Sequence, residues 1–418
     1  MVKYMRKKIK FKNIIIIFLI VLVVILIITN IPNNKEKEIN KMVDLTNKTI
    51  SEVEEYSRNN DLELEINYEY NDNIEKDKVI NQSIKIGSEL KNKDKLIATI
   101  SKGKIDETVY KEYNVNELGN VPIMMYHKII NIPSSETKYT GGNVDVDGYN
   151  RTAEAFRNDL EFYYSEGYRM VRLIDYVNGD IDTELGKSPL ILTFDDGDKS
   201  NFNVLGKNDD GSLQIDPNCA IGILEEYKKK YPDFNVTATF FVMSGIFNQN
   251  EYNEEILKWL VDNGYDVGNH TKNHVNFRNA TTVKSQDEVG YMYELLENII
   301  PGRYVNIVAL PYGSPGDKNH SNFSYILNGT YNGKEYNTIS TLRVGWMSEV
   351  SPFNKNFDKT FLKRIRAYDN NGKEFDITAS FEALKTTKYI SDGNKNNVVI
   401  PNDKELSLGT TNKNVIKY

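Results

Sequence analysis

The sequence predicts an α/β protein in which a (β/α) barrel follows a small α+β module and an N-terminal transmembrane helix. Three observations lead to this prediction. From residue 121 onward, short apolar runs alternate with helical stretches, a pattern typical of parallel strands joined by helices. Before them, a compact segment carries one helical pattern and three strand patterns. The first 31 residues combine a basic flank with a long apolar run.

The composition limits the chemistry that the chain can perform. Its 418 residues include 52 Lys and Arg against 59 Asp and Glu, a net charge of −7. A negative chain with no basic block beyond its first twelve residues argues against nucleic acid as a partner. The one cysteine, Cys219, excludes an intrachain disulfide and a cysteine-based zinc site. The only histidines available for chemistry are His127, His270, His274 and His320.

Residues 1–31 have the pattern of a cytoplasmic basic flank and a membrane anchor. Six Lys and Arg residues precede an uninterrupted apolar run of fifteen residues, 14–28, which Phe11, Thr29 and Ile31 can extend. The cationic flank is expected to stay in the cytoplasm, which gives a single-pass protein of the cell membrane with extracellular C-terminal domains. A buried core helix and a cleaved signal peptide are the alternatives. Residues 29–35 lack the small-residue pattern of a cleavage site, so an uncleaved anchor is favoured.

Residues 32–41 are predicted to be a polar linker, and residues 42–104 a small module. Thr49 can cap a helix, and residues 62–70, 79–80 and 96–100 have strand patterns. The module resembles a PASTA domain through Val-Asp-Leu-Thr at 43–46, Val-Ile-Asn-Gln-Ser at 79–83 with Gly87, and Ile-Ser-Lys-Gly at 100–103. Such modules lie outside Gram-positive cells. The resemblance implies either peptidoglycan recognition or a spacer.

The remaining chain is divided into a connector at 105–120, an α/β domain at 121–400 and a polar tail at 401–418. Strands are predicted at residues 121–126, 190–194, 237–242, 265–268, 305–310 and 338–343. Helices are predicted at residues 153–166, 219–230, 254–263 and 286–299. Because the carboxyl ends of parallel strands meet on one face of a barrel, functional residues are expected there.

Two motifs at predicted strand ends carry the side chains best suited to metal chemistry. Asp195 and Asp196 follow the strand 190–194, and because adjacent strand residues point to opposite sides, they can have different roles. A simple Asp-Asp-Gly turn is the alternative. His270 and His274 follow the strand 265–268, and on a helical turn an i, i+4 pair faces one way. With one carboxylate, these histidines form a set that leaves metal positions open for water and substrate.

Two further features lie near predicted strand ends. Leu-Pro-Tyr-Gly at 310–313 forces an irregular backbone whose N–H groups can be aimed at an oxyanion, although an ordinary turn is the alternative. Trp346 lies just past the strand 338–343. Its indole suits stacking on a sugar ring and equally suits partial burial in the core.

Together, these motifs resemble the polysaccharide deacetylases, the NodB-homology family of carbohydrate esterases, from about Val121 to at least Arg366. The matching residues are Thr-Phe-Asp-Asp-Gly at 193–197, His-Thr-x-x-His at 270–274, Pro-Tyr-Gly at 311–313 and Val-Pro-Ile-Met-Met-Tyr-His at 121–127. The resemblance implies a distorted (β/α) barrel that removes N-acetyl or O-acetyl groups from glycans. It implies Asp195 as general base and the backbone N–H of Tyr312 in an oxyanion hole. The metal ligands implied are Asp196, His270 and His274, and the substrate-binding residues predicted are Pro311, Tyr312 and Trp346.

The chain departs from the family pattern in two places. Many relatives have a base-orienting arginine two residues before the motif proline, where this chain has Ala309. The arginines that could replace it are Arg343, Arg364 and Arg366. Many relatives also have a late Leu-x-His that supplies the general acid, but no histidine follows His320 here. The general acid is then His127 or His320, and His127 is favoured because it ends a predicted strand.

The function predicted is that of a membrane-anchored, extracytoplasmic, metal-dependent deacetylase that removes N-acetyl groups from a cell-wall glycan. Peptidoglycan is favoured because of the PASTA-like neighbour. Zinc is the metal expected first, and cobalt, nickel and iron also suit a mixed nitrogen and oxygen site. Two alternatives stay open. One is a wall-glycan-binding protein that has lost activity, and the other is an esterase that removes O-acetyl groups from sugars.

Overall fold

The computed structural model describes residues 40–133, 136, 149–367 and 377–418. The predicted membrane anchor and most of the predicted linker lie outside the described residues. None of the helices in the described ranges is long and apolar enough to cross a membrane. The chain divides into two compact units, residues 1–106 and 107–418.

The first unit packs one helix on a three-stranded sheet, as the sequence predicts. Its elements are α1 (Ile50–Asn59), β1 (Glu63–Glu69), β2 (Val79–Gln82) and β3 (Lys95–Ser101). In the sheet order β1-β3-β2, β1 and β3 are parallel and β2 is antiparallel to β3. Thr49 and Glu52 form a reciprocal capping box at the start of α1. Val53, Val79 and Leu96 are fully buried between helix and sheet.

The second unit alternates strands and helices along most of its length. Its strands are β4 (Asn120–Val121), β5 (Ile123–Tyr126), β6 (Ile129–Ile130), β7 (Arg151–Thr152), β8 (Tyr168–Met170), β9 (Ser188–Phe194), β10 (Val204–Lys207), β11 (Leu213–Ile215), β12 (Thr239–Val242), β13 (Asp266–Asn269), β14 (Ile307–Ala309), β15 (Asn328–Tyr331), β16 (Lys334–Asn337), β17 (Ser340–Leu342), β18 (Glu349–Val350), β19 (Ile365–Arg366), β20 (Asn397–Ile400) and β21 (Asn414–Lys417). Its α-helices are α2 (Glu107–Tyr113), α3 (Ala153–Ser165), α4 (Leu173–Asn178), α5 (Ala220–Lys230), α6 (Asn253–Asp262), α7 (Thr282–Ile299), α8 (Ser321–Leu327) and α9 (Ile377–Leu384).

Eight of these strands form one parallel sheet. Its order is β17-β14-β13-β12-β9-β5-β19, with β8 also paired to β9. The segment before β19 returns to the other edge, because Leu342 and Leu362 form a parallel bridge and Arg343 N–H donates to the Leu362 carbonyl at 2.8 Å. One irregular segment therefore contacts both edges of the sheet. This arrangement confirms the predicted distorted (β/α) barrel.

The alternation of side chains along the strands separates two apolar layers. Ile123, Ile191 and Leu342 belong to a cluster on the inner side of the sheet. Met124 and Leu192 belong to the larger cluster that packs against the surrounding helices. Residues two positions further along a strand keep the same side. Side chains in phase with Ile123 and Ile191 therefore point into the barrel at the carboxyl ends of β5 and β9.

The segments predicted as a connector and a polar tail both contain regular structure. Residues 105–120 include α2 and the buried side chain of Glu117. Residues 401–418 include a 3₁₀ helix (Asn402–Ser407) and β21, which pairs in parallel with β20. The Tyr418 hydroxyl donates to the Val115 carbonyl at 2.7 Å. Residues 107–120 and 401–418 therefore belong to the second compact unit.

Candidate active site

The sequence motifs meet at the carboxyl end of the parallel sheet. His127 follows β5, Asp195 follows β9, and His270 follows β13. The Pro-Tyr-Gly motif forms a 3₁₀ turn (Pro311–Gly313) just after β14. In the sheet, β5 pairs with β9 and β13 with β14, and only β12 separates the two pairs, so the ends of these strands converge on the face where function is expected in a barrel.

Asp196, His270 and His274 form a compact set of possible metal ligands. The Nε2 atoms of His270 and His274 lie 3.1 and 3.5 Å from Asp196 Oδ1. One ligand atom from each residue lies within 4.8 Å of the others. Asp196 has a left-handed backbone (φ 74°), which turns its side chain away from the strand direction of Asp195. The structure thus brings together the three residues that the sequence predicted as ligands.

The hydrogen bonding of His270 leaves its outer nitrogen available for a metal ion. Its Nδ1 lies 2.8 Å from the Ala309 carbonyl, which can only accept, so Nδ1 carries the proton and Nε2 a lone pair. That lone pair faces Asp196 Oδ1, which also carries lone pairs. The two atoms therefore attract each other only if a proton or a cation lies between them. Burial would lower the pKa of His270, but Asp195 and Asp196 outweigh it and raise the pKa. The donor set therefore fits a divalent cation.

The two histidines do not lie on one helical turn, so that sequence interpretation was wrong. Residues 270–276 form a loop, in which Thr271 (φ 66°) and His274 (φ 53°) have left-handed backbones. The rings are nevertheless 4.9 Å apart. The i, i+4 spacing brings them together through two left-handed residues instead of through helical periodicity.

Asp195 is held by an arginine from the segment that contacts both sheet edges. Arg364 Nη1 and Nη2 donate to the two oxygens of Asp195 at 2.7 and 2.6 Å. Both residues are buried, with 0% exposure for Arg364 and 1% for Asp195. Burial would raise the pKa of the Asp195 carboxyl, but Arg364, followed by His270, outweighs this effect and lowers it. Of the three arginines considered in place of Ala309, Arg364 is the one that contacts Asp195.

The structure separates the two candidates for the general acid. Burial lowers the pKa of His127, and the charges of Asp195 and Asp196 oppose that shift, so His127 lies within electrostatic range of both carboxylates. Its Nδ1 is buried and has no hydrogen-bond partner within the described parts of the chain. His320 instead caps α8, where its Nδ1 accepts from the Asn322 N–H at 3.2 Å.

The predicted substrate-binding residues differ in exposure. Tyr312 has a left-handed backbone (φ 59°) and is 66% exposed, with its ring 4.5 Å from that of His274. Pro311 is buried, so Tyr312 is the member of this pair that a ligand can reach. Trp346 is 47% exposed and forms a bridge with Ile365, next to Arg364. The indole is therefore partly open to solvent and is not part of the core.

Comparisons with known families agree with these positions. Residues 182–324 match the polysaccharide deacetylase family, and residues 40–102 match the PASTA domain. The first match includes Asp195, Asp196, His270 and His274, whereas His127 and Arg364 lie outside it. No curated protein matches the chain in sequence.

The solved structures that the chain matches include several deacetylases. Streptococcus pyogenes deacetylase PplD in complex with acetate is 18% identical, with a TM-score of 0.46, over 64% of this chain and 99% of that one. The polysaccharide deacetylase BC0361 of Bacillus cereus is 18% identical, with a TM-score of 0.45, over 64% of this chain and 70% of that one. A de-N-acetylase of Aggregatibacter actinomycetemcomitans is 12% identical, with a TM-score of 0.42, over 63% and 99%. The two family matches show that the chain joins a PASTA domain to a domain of the polysaccharide deacetylase family.

Proposed function

We propose that the protein is a membrane-anchored, metal-dependent deacetylase that removes N-acetyl groups from a cell-wall glycan, with peptidoglycan as the favoured substrate. One observation carries the proposal. The ligand set of Asp196, His270 and His274 lies beside Asp195, a buried carboxylate whose ionised form is stabilised by Arg364. A metal position and an ionised base in one site are the two requirements for attack of water on an amide.

The residues of the chain can be assigned to the steps of amide hydrolysis. Asp196, His270 and His274 would hold a divalent ion, zinc being the first expectation, which when bound polarises a carbonyl and lowers the pKa of water. Asp195 accepts the proton of the attacking water. The backbone N–H of Tyr312 has no partner among the described residues and can donate to the oxyanion. The proton that Asp195 accepts must then reach the departing nitrogen, and His127, which lies within electrostatic range of Asp195 and Asp196, would carry it there.

The structure bears on the two alternatives. An inactive binding protein is suggested by Ala309, at the position of the family arginine, and by the absence of a late histidine. The bidentate contact from Arg364 favours activity, because it supplies a guanidinium to the base from another part of the chain. An O-acetyl esterase would use the same metal position. An amide needs more leaving-group protonation than an ester, so His127 near the two carboxylates favours amide hydrolysis.

The cellular setting is proposed from the sequence. The basic flank and apolar run of residues 1–31 support a single-pass anchor with the folded domains outside the cell. A PASTA domain beside a deacetylase domain supports a substrate in the cell wall. If this module binds peptidoglycan, its removal should change KM on wall fragments. If it is a spacer, KM should stay the same.

The metal site is tested by metal analysis of the purified protein. We expect one divalent transition metal per chain in the wild type and none in the His270→Ala, His274→Ala double variant. His320→Ala is the matched control, because it removes a histidine that caps α8 and should keep the metal. Unchanged metal content in the double variant would overturn the assignment.

The reaction is tested with N-acetylated chito-oligosaccharides, peptidoglycan fragments and O-acetylated fragments. Acetate release and mass spectrometry identify which acetyl group is lost. Loss from the N-acetylated substrates supports the proposal. Loss from O-acetylated fragments alone would indicate the esterase, and no loss by the metal-loaded protein would indicate a binding protein.

A further inference from the structure

Glu288 is a fully buried carboxylate on α7, outside the ligand set. It is 0% exposed, and its oxygens accept from the Asn273 N–H at 2.7 Å, the Asn273 side-chain amide at 2.8 Å and Lys284 Nζ at 2.7 Å. Burial would raise its pKa, but hydrogen bonds from Lys284 and Asn273 outweigh burial and lower the pKa. A buried carboxylate is costly unless its oxygens are hydrogen-bonded, and here three donors meet that requirement.

The residues that Glu288 holds lead directly into His274. Asn273 gives Glu288 both its backbone N–H and its side-chain amide, and the Lys272 N–H donates to the Glu288 carbonyl at 3.0 Å. Thr271 and His274 on either side have left-handed backbones. This backbone conformation is unfavourable for residues other than glycine, so it persists only where surrounding contacts impose it. Glu288 supplies such contacts from both its side chain and its backbone.

The start of the loop is tied to the same turn of α7. The side-chain amide of Asn269 donates to the Val289 carbonyl at 3.0 Å, and its oxygen accepts from the Thr271 N–H at 2.8 Å. His270 depends on other elements. Its N–H donates to the Val242 carbonyl at 3.0 Å, and its ring is fixed by Ala309. The sheet therefore orients the first histidine. The loop that carries the second is held by α7 and by Ser244, whose N–H and hydroxyl donate to the Lys272 carbonyl at 3.3 and 2.9 Å.

From these contacts we propose that Glu288 is a positioning residue, which fixes His274 as a metal ligand by holding residues 272 and 273 in place. The inference rests on the metal site of the proposed function. It assigns to α7 a role that the ligand motif itself does not show. Lys284 has a half-exposed side chain and contributes one of the three donors. Its loss should therefore weaken the arrangement less than loss of Glu288.

The test measures metal affinity and coordination in the full-length chain, independently of activity. Chelator competition gives the Zn²⁺ dissociation constant, and the visible absorption spectrum of the Co²⁺ form reports the ligand geometry. Glu288→Ala should weaken Zn²⁺ binding by ~10- to 100-fold, the usual effect of losing a residue that orients a metal ligand, and should change the Co²⁺ spectrum. Glu288→Gln keeps one oxygen acceptor for Asn273 and should show a smaller loss.

Tyr293→Phe is the matched control on the same helix. It removes a buried hydrogen bond of 2.7 Å between the Tyr293 and Thr338 hydroxyls and does not touch the loop. This variant should lower Tm and keep the wild-type Zn²⁺ dissociation constant and Co²⁺ spectrum. Asn273→Ala removes one donor to Glu288 and should weaken Zn²⁺ binding several-fold. It decides the matter if Glu288→Ala does not fold.

The outcomes separate the two levels of the proposal. A wild-type chain that binds no Zn²⁺ or Co²⁺ would overturn the proposed metal site and this inference with it. A wild-type chain that binds metal, with an unchanged dissociation constant and spectrum in folded Glu288→Ala, would overturn only the positioning role. If that variant does not fold, unchanged binding in Asn273→Ala overturns the role. An equal loss of affinity in Tyr293→Phe would also overturn it, because general loosening of α7 would then explain the effect.

Discussion

Replacing Arg364 by methionine tests whether the charge next to Asp195 sets up the base. The wild-type pair is bidentate, with oxygen–nitrogen distances of 2.7 and 2.6 Å, and both side chains are buried. Arg364 Nη1 also donates to Thr193 Oγ1 at 3.1 Å, and its Nε donates to the Arg343 carbonyl at 2.8 Å. Methionine has similar length and no charge. The substitution therefore leaves a buried carboxylate without its cation.

The magnitude follows from the cost of breaking a buried pair. Removing one partner typically costs ~3–5 kcal/mol, because the other charge stays buried. Asp195 can reduce this cost by taking up a proton, since burial raises its pKa once Arg364 is absent. In the wild type, the lowered pKa stabilises the fold above the carboxyl's ordinary pKa of about 3.8, and this contribution is lost as pH falls through the lowered pKa. The deficit of the variant should therefore be largest at neutral pH and smaller in acid.

The same change should appear in catalysis, because a protonated Asp195 cannot accept the proton of water. We expect kcat/KM of Arg364→Met to fall by ~10²–10⁴-fold at neutral pH, the range for loss of general base catalysis. The acid limb of its pH profile should move to higher pH. Denaturation at pH 7 and pH 4, a kcat/KM profile and metal analysis measure these effects.

Arg343→Met is the matched control. Arg343 contacts the Phe361 ring at 4.8 Å, and its carbonyl, which the substitution keeps, accepts from Arg364. Its loss should leave the pH profile unchanged. A wild-type acid limb in Arg364→Met, together with a stability loss below about 1 kcal/mol at pH 7, would refute the reasoning about the pair, since an exposed ion pair contributes that much at most.

Four further variants test the proposed base, the proposed acid with its control, and a buried carboxylate away from the site. Asp195→Asn should keep its metal and lose nearly all turnover, because an amide cannot accept a proton; near wild-type kcat in metal-loaded protein would mean that another group is the base. His127→Ala should lower kcat on an amide by ~10²–10⁴-fold and much less on an activated ester, whereas His320→Ala should change both only slightly. Equal losses on the two substrates for His127→Ala would contradict its role as the acid. Burial raises the pKa of Glu117 from 4.5 to about 8. Between these two pH values, the folded state keeps a proton that the unfolded state has already lost. Stability should fall across this range, and Glu117→Gln should flatten the dependence of Tm on pH; an unchanged slope would exclude Glu117 as its source.

The strand and helix pattern could be predicted because burial dictates it. The run 190–194 is apolar at every position but one, as expected for a strand covered on both faces, and it forms β9. Its polar position, Thr193, lies within β9, and its hydroxyl accepts a hydrogen bond from Arg364. A role for Thr193 in the site was not predicted, although Thr193 lies two positions before Asp195 and so shares its side of the strand.

The partner of Asp195 could not be chosen from sequence. Arg364 lies in a segment whose only regular β structure is the two-residue strand β19. A shift of the strand pairing by one residue would direct a neighbouring side chain toward the carboxylate instead. The left-handed loop before His274 was also missed. It is held by tertiary contacts that include those of Asn273 with Glu288, which is fifteen residues away in sequence. Both cases depend on tertiary contacts that override local pattern.

In the proposed mechanism, one dipeptide serves two kinds of chemistry, because its two residues have different backbones and different neighbours. Asp195 continues the strand into the barrel, where Arg364 neutralises it and excludes it from the ligand set. Asp196 has a left-handed φ of 74° and turns toward His270 and His274, with 30% of its side chain exposed. A carboxylate that is paired with a guanidinium can still accept a proton. It attracts a metal cation less, because the guanidinium offsets its negative charge. The two aspartates are consequently not interchangeable: Asp196→Asn should lose metal, whereas Asp195→Asn should lose proton transfer alone.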